Sequence, residues 1–253
     1  MDKIISRKNP LASHIKKLGT NRAYRELSGE FLCDGMKLLE DAVAGDAEIT
    51  AILTASGIPF PLSVDTRVYY ADRGLINSLS PLKNAQDTLF TCRTPIVCDE
   101  FDMTGTHILL DGVQDPGNVG SVIRTANAFG IKSVILVDGC ADPYNPKTIR
   151  ASMGAIFRQR VINVTLSELG AIKDSGAVFI GAALRNDCSD IREVEIKNSV
   201  IAIGREGRGL SEEVMALCNN FVTIPITMEC ESLNAAVAAA ILMWEARRRK
   251  TGK

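Results

Sequence analysis

The sequence predicts an α/β protein in two parts: a small N-terminal α/β unit, then a larger C-terminal unit built on a mostly parallel sheet. Three observations predict it. From His107 onward, short apolar strands alternate with helical segments, the pattern of a sheet covered on both faces. Ahead of that, short segments rich in β-formers are interleaved with amphipathic helical stretches. Between the two lies TPIVCDEFDMTGT (94–106), whose Pro95, Gly105 and acidic residues read as a boundary. The reading therefore places the domains at 1–98 and 99–253.

The elements follow in order. Residues 10–26 read as helical. EFLCDG (30–35) reads as a strand and turn, and MKLLEDAVAG (36–45) as a helix: Met36, Leu38, Leu39 and Val43 recur at helical spacing and Gly45 marks the stop. AILTA (51–55) and VYYA (68–71) read as strands, 72–79 as a short helix, and TLFTCR (88–93) as the last strand of the unit. In the C-terminal unit, strands are expected at 107–112, 133–139, 177–184, 199–204 and 221–225. Helices are expected near 117–130, 146–154, 166–174, 210–218 and 232–249.

Composition excludes several classes. The 253 residues are 46% hydrophobic and 23% charged, as in ordinary globular proteins. No apolar run approaches the roughly 18 to 20 residues that span a bilayer. The start, MDKIISRKNP, has no apolar stretch of the secretory kind, so a cytoplasmic protein is expected. The seven cysteines are scattered and form no CxxC pair; with only His14 and His107 beside them, they read as reduced core thiols rather than a metal site. Net charge is −1, yet basic residues concentrate at Lys3, Arg7, Lys8, Lys16, Lys17, Arg22 and Arg25, and in the tail Arg247, Arg248, Arg249, Lys250 and Lys253. Such ends are ordinarily just solvated, but they also suit a nucleic-acid backbone.

The sequence contains no GxxxxGK[ST], HExxH or GxSxG. GREGRG (204–209) follows a strand, but its glycines are not in the GxGxxG order of a dinucleotide fingerprint. Three segments remain, each at the C-terminal end of an expected strand, where open parallel sheets bind ligands. In the first, 109–130, Asn118 is a candidate N-cap. Val119, Val122 or Ile123, Ala126 and Phe129 form the buried stripe, and Arg124 lies off that stripe, one turn after Gly120. A lone helical Arg is ordinarily solvated or salt-bridged, but one near a helix start can clamp a phosphate. In the second, 201–214, Gly204, Gly207 and Gly209 allow close backbone approach around Glu206, and Ser211 opens a helix. In the third, 222–249, Ser232 and Asn234 read as caps. Leu233, Val237, Ile241 and Trp244 read as the core stripe, beside alanines that let another backbone come close.

Together these segments resemble the three motifs of the SpoU (TrmH-like) family of RNA ribose 2′-O-methyltransferases. Asn118-x-Gly120-x-x-x-Arg124 is similar to the first motif, Gly204-x-Glu206-x-x-Gly209-Leu210 to the second, and Ile224-Pro225 with Ser232-Leu233-Asn234 to the third. Ile226 stands where the family often has Met. FLCDG (31–35) and the Ser80-Pro81 … Gln86-Asp87 stretch resemble, more loosely, the substrate-binding domain that many members carry.

The resemblance implies a C-terminal sheet with a deep trefoil knot, a homodimer formed through it, and S-adenosyl-L-methionine bound around Gly204, Gly209, Ile224, Pro225 and Leu233. It implies methylation of a ribose 2′-hydroxyl in structured RNA. Large-subunit ribosomal RNA is the expected partner, with no membrane and no metal involved. Arg124 is implied as the base or a phosphate anchor, and Asn118, Glu206, Ser232 and Asn234 as residues that shape the site. Lys8, Lys16, Lys17, Arg22 and Arg25 are the expected RNA contacts. Transfer RNA as substrate, a non-catalytic RNA-binding protein on the same fold, and a nucleotide-dependent metabolic enzyme stay open as alternatives.

Overall fold

The computed structural model describes residues 2–96, 101–137, 139–185, 188–227, 229 and 231–248. The expected domain junction at 98/99, Cys98, Cys230 and the tail cations Arg249, Lys250 and Lys253 lie outside the described residues. By its internal contacts the chain divides into two units, one of Met1–Ile96 with Asp142–Arg158, the other of Val97–Ala141 with Gln159–Lys253.

The first unit runs β1 (Asp2–Lys3), α1 (Pro10–Thr20), α2 (Arg22–Ser28), β2 (Glu30–Asp34), α3 (Met36–Ala44), β3 (Ile49–Thr54), β4 (Val68–Tyr70), α4 (Arg73–Leu79) and β5 (Thr88–Arg93). The helix expected over 10–26 is two. Asn21 takes an extended conformation that ends α1, and its side chain accepts from Tyr24 N at 3.0 Å to start α2. The five strands order as β1-β4-β3-β5-β2, with β5 antiparallel to both neighbours. Ile15, Leu18, Leu32, Leu53, Ile76 and Leu89 fill the core on one side.

The second unit begins with β6 (His107–Leu110), α5 (Pro116–Phe129) and β7 (Ser133–Val137). The chain then forms α6 (Pro146–Ser152), which belongs to the first unit, before resuming with β8 (Val161–Val164), α7 (Leu166–Asp174), β9 (Phe179–Ala182), β10 (Ser189–Asp190), β11 (Val200–Ile203), α8 (Glu212–Leu217), β12 (Asn220–Thr223) and α9 (Ala235–Arg248). The seven strands order as β10-β12-β9-β11-β6-β7-β8, and every pair is parallel. β6, β7, β9 and β11 are almost wholly buried, which is why they read as unbroken apolar runs. β1, β8 and β10, too short or too polar to stand out, are additions to the expected elements. β6 pairs with β7 on one side and β11 on the other, so the winding reverses direction between β6 and β11. Leu110 lies opposite Ile203, and the loops after these two strands emerge side by side. Among the described residues no helix is long and apolar enough to cross a membrane.

Two expectations are corrected. Asp142–Arg158, read from the linear sequence as part of the C-terminal domain, packs with the first unit. Phe31 makes ring contacts with Tyr144 at 4.8 Å and Phe157 at 6.4 Å between centroids. Arg25, expected to face RNA, is 5% exposed. Its Nε and Nη2 donate to Asp142 Oδ2 at 2.8 and 2.5 Å, and its Nη1 donates to the Leu18 carbonyl at 2.6 Å. A buried guanidinium persists only with its charge paired and its N–H groups bonded, so this side chain is a structural tie and is spent.

Candidate active site

The site grows from the reversal point. After β6, Asp111 is buried, and its Oδ2 accepts from Ser211 N at 2.5 Å, joining the loop after β6 to the loop after β11. Asp115 then caps α5, accepting from Asn118 N at 2.8 Å, with Pro116 in the first helical position. The expected cap, Asn118, is therefore inside the first turn. An Asp-Pro pair outcompetes it, because Pro needs no N–H partner there, and the Asn118 side chain is released for another use.

After β11 the chain makes a tight loop. Arg205 N donates to Gly209 O at 3.1 Å and Gly209 N to Arg205 O at 2.9 Å, while Gly207 and Gly209 take φ of 75° and 68°. Gly204 allows this loop to close: a Cβ there would lie 2.0 Å from the Gly209 carbonyl carbon and 2.3 Å from Leu210 N. No side chain, however small, fits that crossing of backbone over backbone. Ser211 caps α8, as expected.

The three motif segments meet at Glu206. Its Oε1 accepts from Asn118 Nδ2 at 2.6 Å and from Asn234 Nδ2 at 2.9 Å, and Asn234 Nδ2 also lies 3.1 Å from Asn118 Oδ1. Asn234 Oδ1 faces the other way and accepts from Ala236 N at 2.9 Å and Val237 N at 3.3 Å, starting α9. Asn234, rather than Ser232, is thus the cap, and α9 begins three residues later than expected. One carboxylate oxygen holds the start of α5, the glycine loop and the start of α9 together. Hydrogen bonds to a charged acceptor are the stronger kind.

Beside this junction lies a cavity of about 470 Å³, lined by the loop after β9, the glycine loop, Ile224, Ile226, Ser232, Leu233 and the small Ala235 and Ala238 of α9. Gly204, Gly209, Ile224 and Leu233, four of the five expected cofactor residues, line it; Pro225 is exposed nearby in sequence but not in the wall. Glu206 and Ser232 stand at its edge. Arg124 is exposed on α5 and makes no hydrogen bond or ion pair with another described residue. Sequence reasoning missed Asp111, Arg205 and Arg185. Arg185 lies over the Phe221 ring at 4.7 Å and helps line the cavity from the loop after β9. The only local signal for Asp111 was an acid directly after a buried strand.

The expected RNA contacts sit on the first unit. Lys8, Lys16, Lys17 and Arg22 are exposed; Lys16 reaches the Ser78 carbonyl at 3.2 Å, Lys17 lies 5.2 Å from the Tyr24 ring centroid, and Arg22 pairs with Glu26 at 2.7 Å. On α9 the expected core stripe is turned outward in part. Val237 is 48% and Trp244 56% exposed, and the buried residues are Ala235, Ala239, Leu242, Met243, Glu245 and Ala246. Small alanines on the buried face suit a close approach of α9 to its neighbours, while Trp244 keeps a ring contact with Phe129 of α5.

The sequence pattern of the SpoU rRNA Methylase family matches residues 105–244. The chain is 32% identical over 251 residues to the 23S rRNA (guanosine(2553)-2′-O)-methyltransferase RlmP of Bacillus subtilis (strain 168), covering 98% of this chain and 100% of that relative. Its fold is similar to that of the AdoMet-bound rRNA methyltransferase from Sinorhizobium meliloti, with a TM-score of 0.86, 26% identity and 99% of both chains covered. It is also similar to the SpoU methyltransferase AviRb from Streptomyces viridochromogenes in complex with AdoMet, with a TM-score of 0.83, 27% identity and 97% and 100% of the two chains covered.

Thermal unfolding tests the loop crossing. Gly204→Ala must push backbone apart and is expected to lower the melting temperature by several degrees or prevent folding. Gly207→Ala meets open space and adds only a left-handed Ala, expected to cost about 1 kcal/mol, or roughly 2 to 4 °C. Equal small shifts for both would contradict the crossing.

Proposed function

Because the chain belongs to the SpoU rRNA Methylase family, we propose that it transfers the methyl group of S-adenosylmethionine to a ribose 2′-hydroxyl of ribosomal RNA. The observation that carries this reading is the junction of Asn118, Glu206 and Asn234 at the edge of a cavity beside the sheet's reversal point. The second unit has the family's trefoil-knotted fold. Ribosomal RNA is favoured over transfer RNA because the Bacillus subtilis relative, matched over its whole length, is named for 23S rRNA. We place the work in the cytoplasm, with its RNA.

The cavity fits the cofactor. About 470 Å³ lies in the range of small-molecule sites, and its wall of glycine-loop backbone, apolar side chains and a few charged groups suits an amphipathic nucleoside cofactor. Gly204, Gly209, Ile224 and Leu233 would hold it, with Pro225 shaping the segment between them. When bound, the cofactor supplies a methyl group already activated on a sulfonium. The remaining task, orienting the ribose oxygen in line, falls to the protein, and such positioning is worth ~7–11 kcal/mol.

Arg124 is assigned to the RNA phosphate next to the target ribose. It is exposed on the helix that Asn118 and Glu206 fasten to the cavity edge, and it has no competing partner among the described residues. A guanidinium binds phosphate bidentately and is a poor base in water, so anchoring and charge stabilisation suit it better than proton abstraction. Ser232, at the cavity edge, and Asn234 orient the RNA against that anchor. Lys8, Lys16, Lys17 and Arg22 of the first unit add phosphate contacts. The non-catalytic alternative has nothing in its favour, since Asn118, Arg124 and Asn234 are all present.

The working protein is proposed to be a homodimer joined through the knotted unit. Val237 and Trp244 form an exposed apolar ridge on α9, with Phe129 of α5 against Trp244 at 5.8 Å between ring centroids. A ridge of this kind on one side of a helix ordinarily marks a partner surface.

Two measurements test these readings. Labelled S-adenosylmethionine with unmodified ribosomal and transfer RNA, digested to nucleosides, should give a 2′-O-methylated nucleoside from the ribosomal pool. Label only in transfer RNA would move the substrate; label on a base would overturn the chemistry. In the same assay Arg124→Ala should lose at least about 10²-fold in rate while binding the cofactor normally by calorimetry. Arg124→Lys, which keeps the charge, should recover part of the rate if Arg124 is an anchor. Sedimentation of Trp244→Glu should show a monomer where the wild type is a dimer; an unchanged dimer would remove this ridge from the interface.

A further inference from the structure

A second cationic surface lies on the first unit, away from its α1 and α2 lysines in sequence and supplied by the segment between β7 and β8. From Pro143 to Arg158 the chain carries three basic residues, Lys147, Arg150 and Arg158, and no acidic one. All three are exposed, and none of the three side chains makes a hydrogen bond or a close ion pair with another described residue, although the Arg150 charge is near enough to act on the Asp34 carboxylate. The nearby acids take their hydrogen bonds and close ion pairs from other residues. Asp142 holds Arg25; Asp34 accepts from Ser80 Oγ at 2.5 Å and Gln86 N at 2.9 Å; Glu40 and Asp41 face Lys37 at 2.7 and 4.0 Å.

The segment is also held firmly. Asn145 caps α6, Tyr144 and Phe157 contact Phe31, and Gly154 packs so closely on Asp41 that a Cβ would fall 2.5 Å from its Oδ2. Between Arg150 and Arg158, Met153 is held at φ 48° with its side chain 60% exposed. A left-handed conformation costs a residue with a long side chain roughly 1–2 kcal/mol, and an apolar chain in water returns none of it. That conformation is the left-handed cap that ends α6, with Met153 N donating to the Arg150 carbonyl at 3.3 Å; what the fold does not require is a long apolar side chain left in water there, amid three exposed cations.

We propose that this segment is the RNA grip of the first unit, with Lys147, Arg150 and Arg158 on phosphates and Met153 against the face of an unstacked base. Thioethers pack favourably against flat π-systems, and RNA-binding proteins commonly splay bases out and cover them with protein side chains. The inference rests on the RNA reading above and assigns the contact to residues outside the N-terminal cluster.

The test uses the full chain and an unmodified large-subunit ribosomal RNA transcript, in binding titrations across salt. Arg150→Glu with Arg158→Glu should weaken RNA binding by about ten-fold or more and make the salt dependence shallower by about two phosphate contacts. Met153→Gly removes the strain and the side chain together, so it should unfold no earlier than wild type and yet bind RNA several-fold more weakly. Normal cofactor affinity in both variants confirms that each is folded. RNA affinity unchanged in either variant overturns the proposal. If the wild type methylates RNA and the variants grip it equally well, this inference fails alone; if the wild type transfers no methyl group to RNA, the enzyme reading fails with it.

Discussion

One carboxylate oxygen sets the geometry of the site. Glu206 Oε1 receives the amides of Asn118 and Asn234, residues 116 apart in sequence, and so fixes three segments that no regular secondary structure joins. The parallel sheet supplies the coarse placement by bringing the loops after β6 and β11 side by side at its reversal point. The oxygen supplies the fine placement. Around it, Asp111 ties one loop to the other, and Gly204 lets the second loop fold back on itself without a side chain in the way. Where the glycine loop crosses itself, the cavity meets backbone because no side chain fits there.

Much of this was legible in the sequence, and the exceptions share a cause. The buried strands β6, β7, β9 and β11 announce themselves as apolar runs, and the three motifs lie at strand ends because that is where a parallel sheet exposes chain to a ligand. Boundaries and faces were less legible. Asp115 takes the cap from Asn118 because Pro116 defines the first turn, a choice between neighbours that depends on which side chain has a better partner elsewhere. On α9 hydrophobicity favours the Val237–Trp244 stripe, but the face the fold buries is Ala235, Ala239, Leu242, Met243, Glu245 and Ala246, which composition alone does not single out. Arg25 and the 142–158 segment could not be read locally at all. The acid that neutralises Arg25 lies 117 residues away, and only the folded chain shows that it is near.

On the proposed reading, the two units would divide the labour that the chemistry requires. A methyl donor already activated needs only a cavity and an acceptor held in line, and the knotted unit offers a pocket of about 470 Å³ with an exposed cation on the adjoining helix. Recognition of a large folded RNA needs area and charge, which a net charge of −1 for the whole chain would not suggest. On the proposed reading, the first unit would meet this by clustering its cations, with several of its acids bonded within the protein.

The central claim is that Asn118, Glu206 and Asn234 act as one assembly. A double-mutant cycle in the methyl-transfer rate tests it most directly, with Asn118→Ala, Asn234→Ala and the pair together. If Glu206 joins them into a unit, either single change releases the junction, and the pair should be little slower than the worse single variant, a coupling of about 1 kcal/mol or more. If the two losses simply multiply, the residues act independently, and the junction is not what assembles the site.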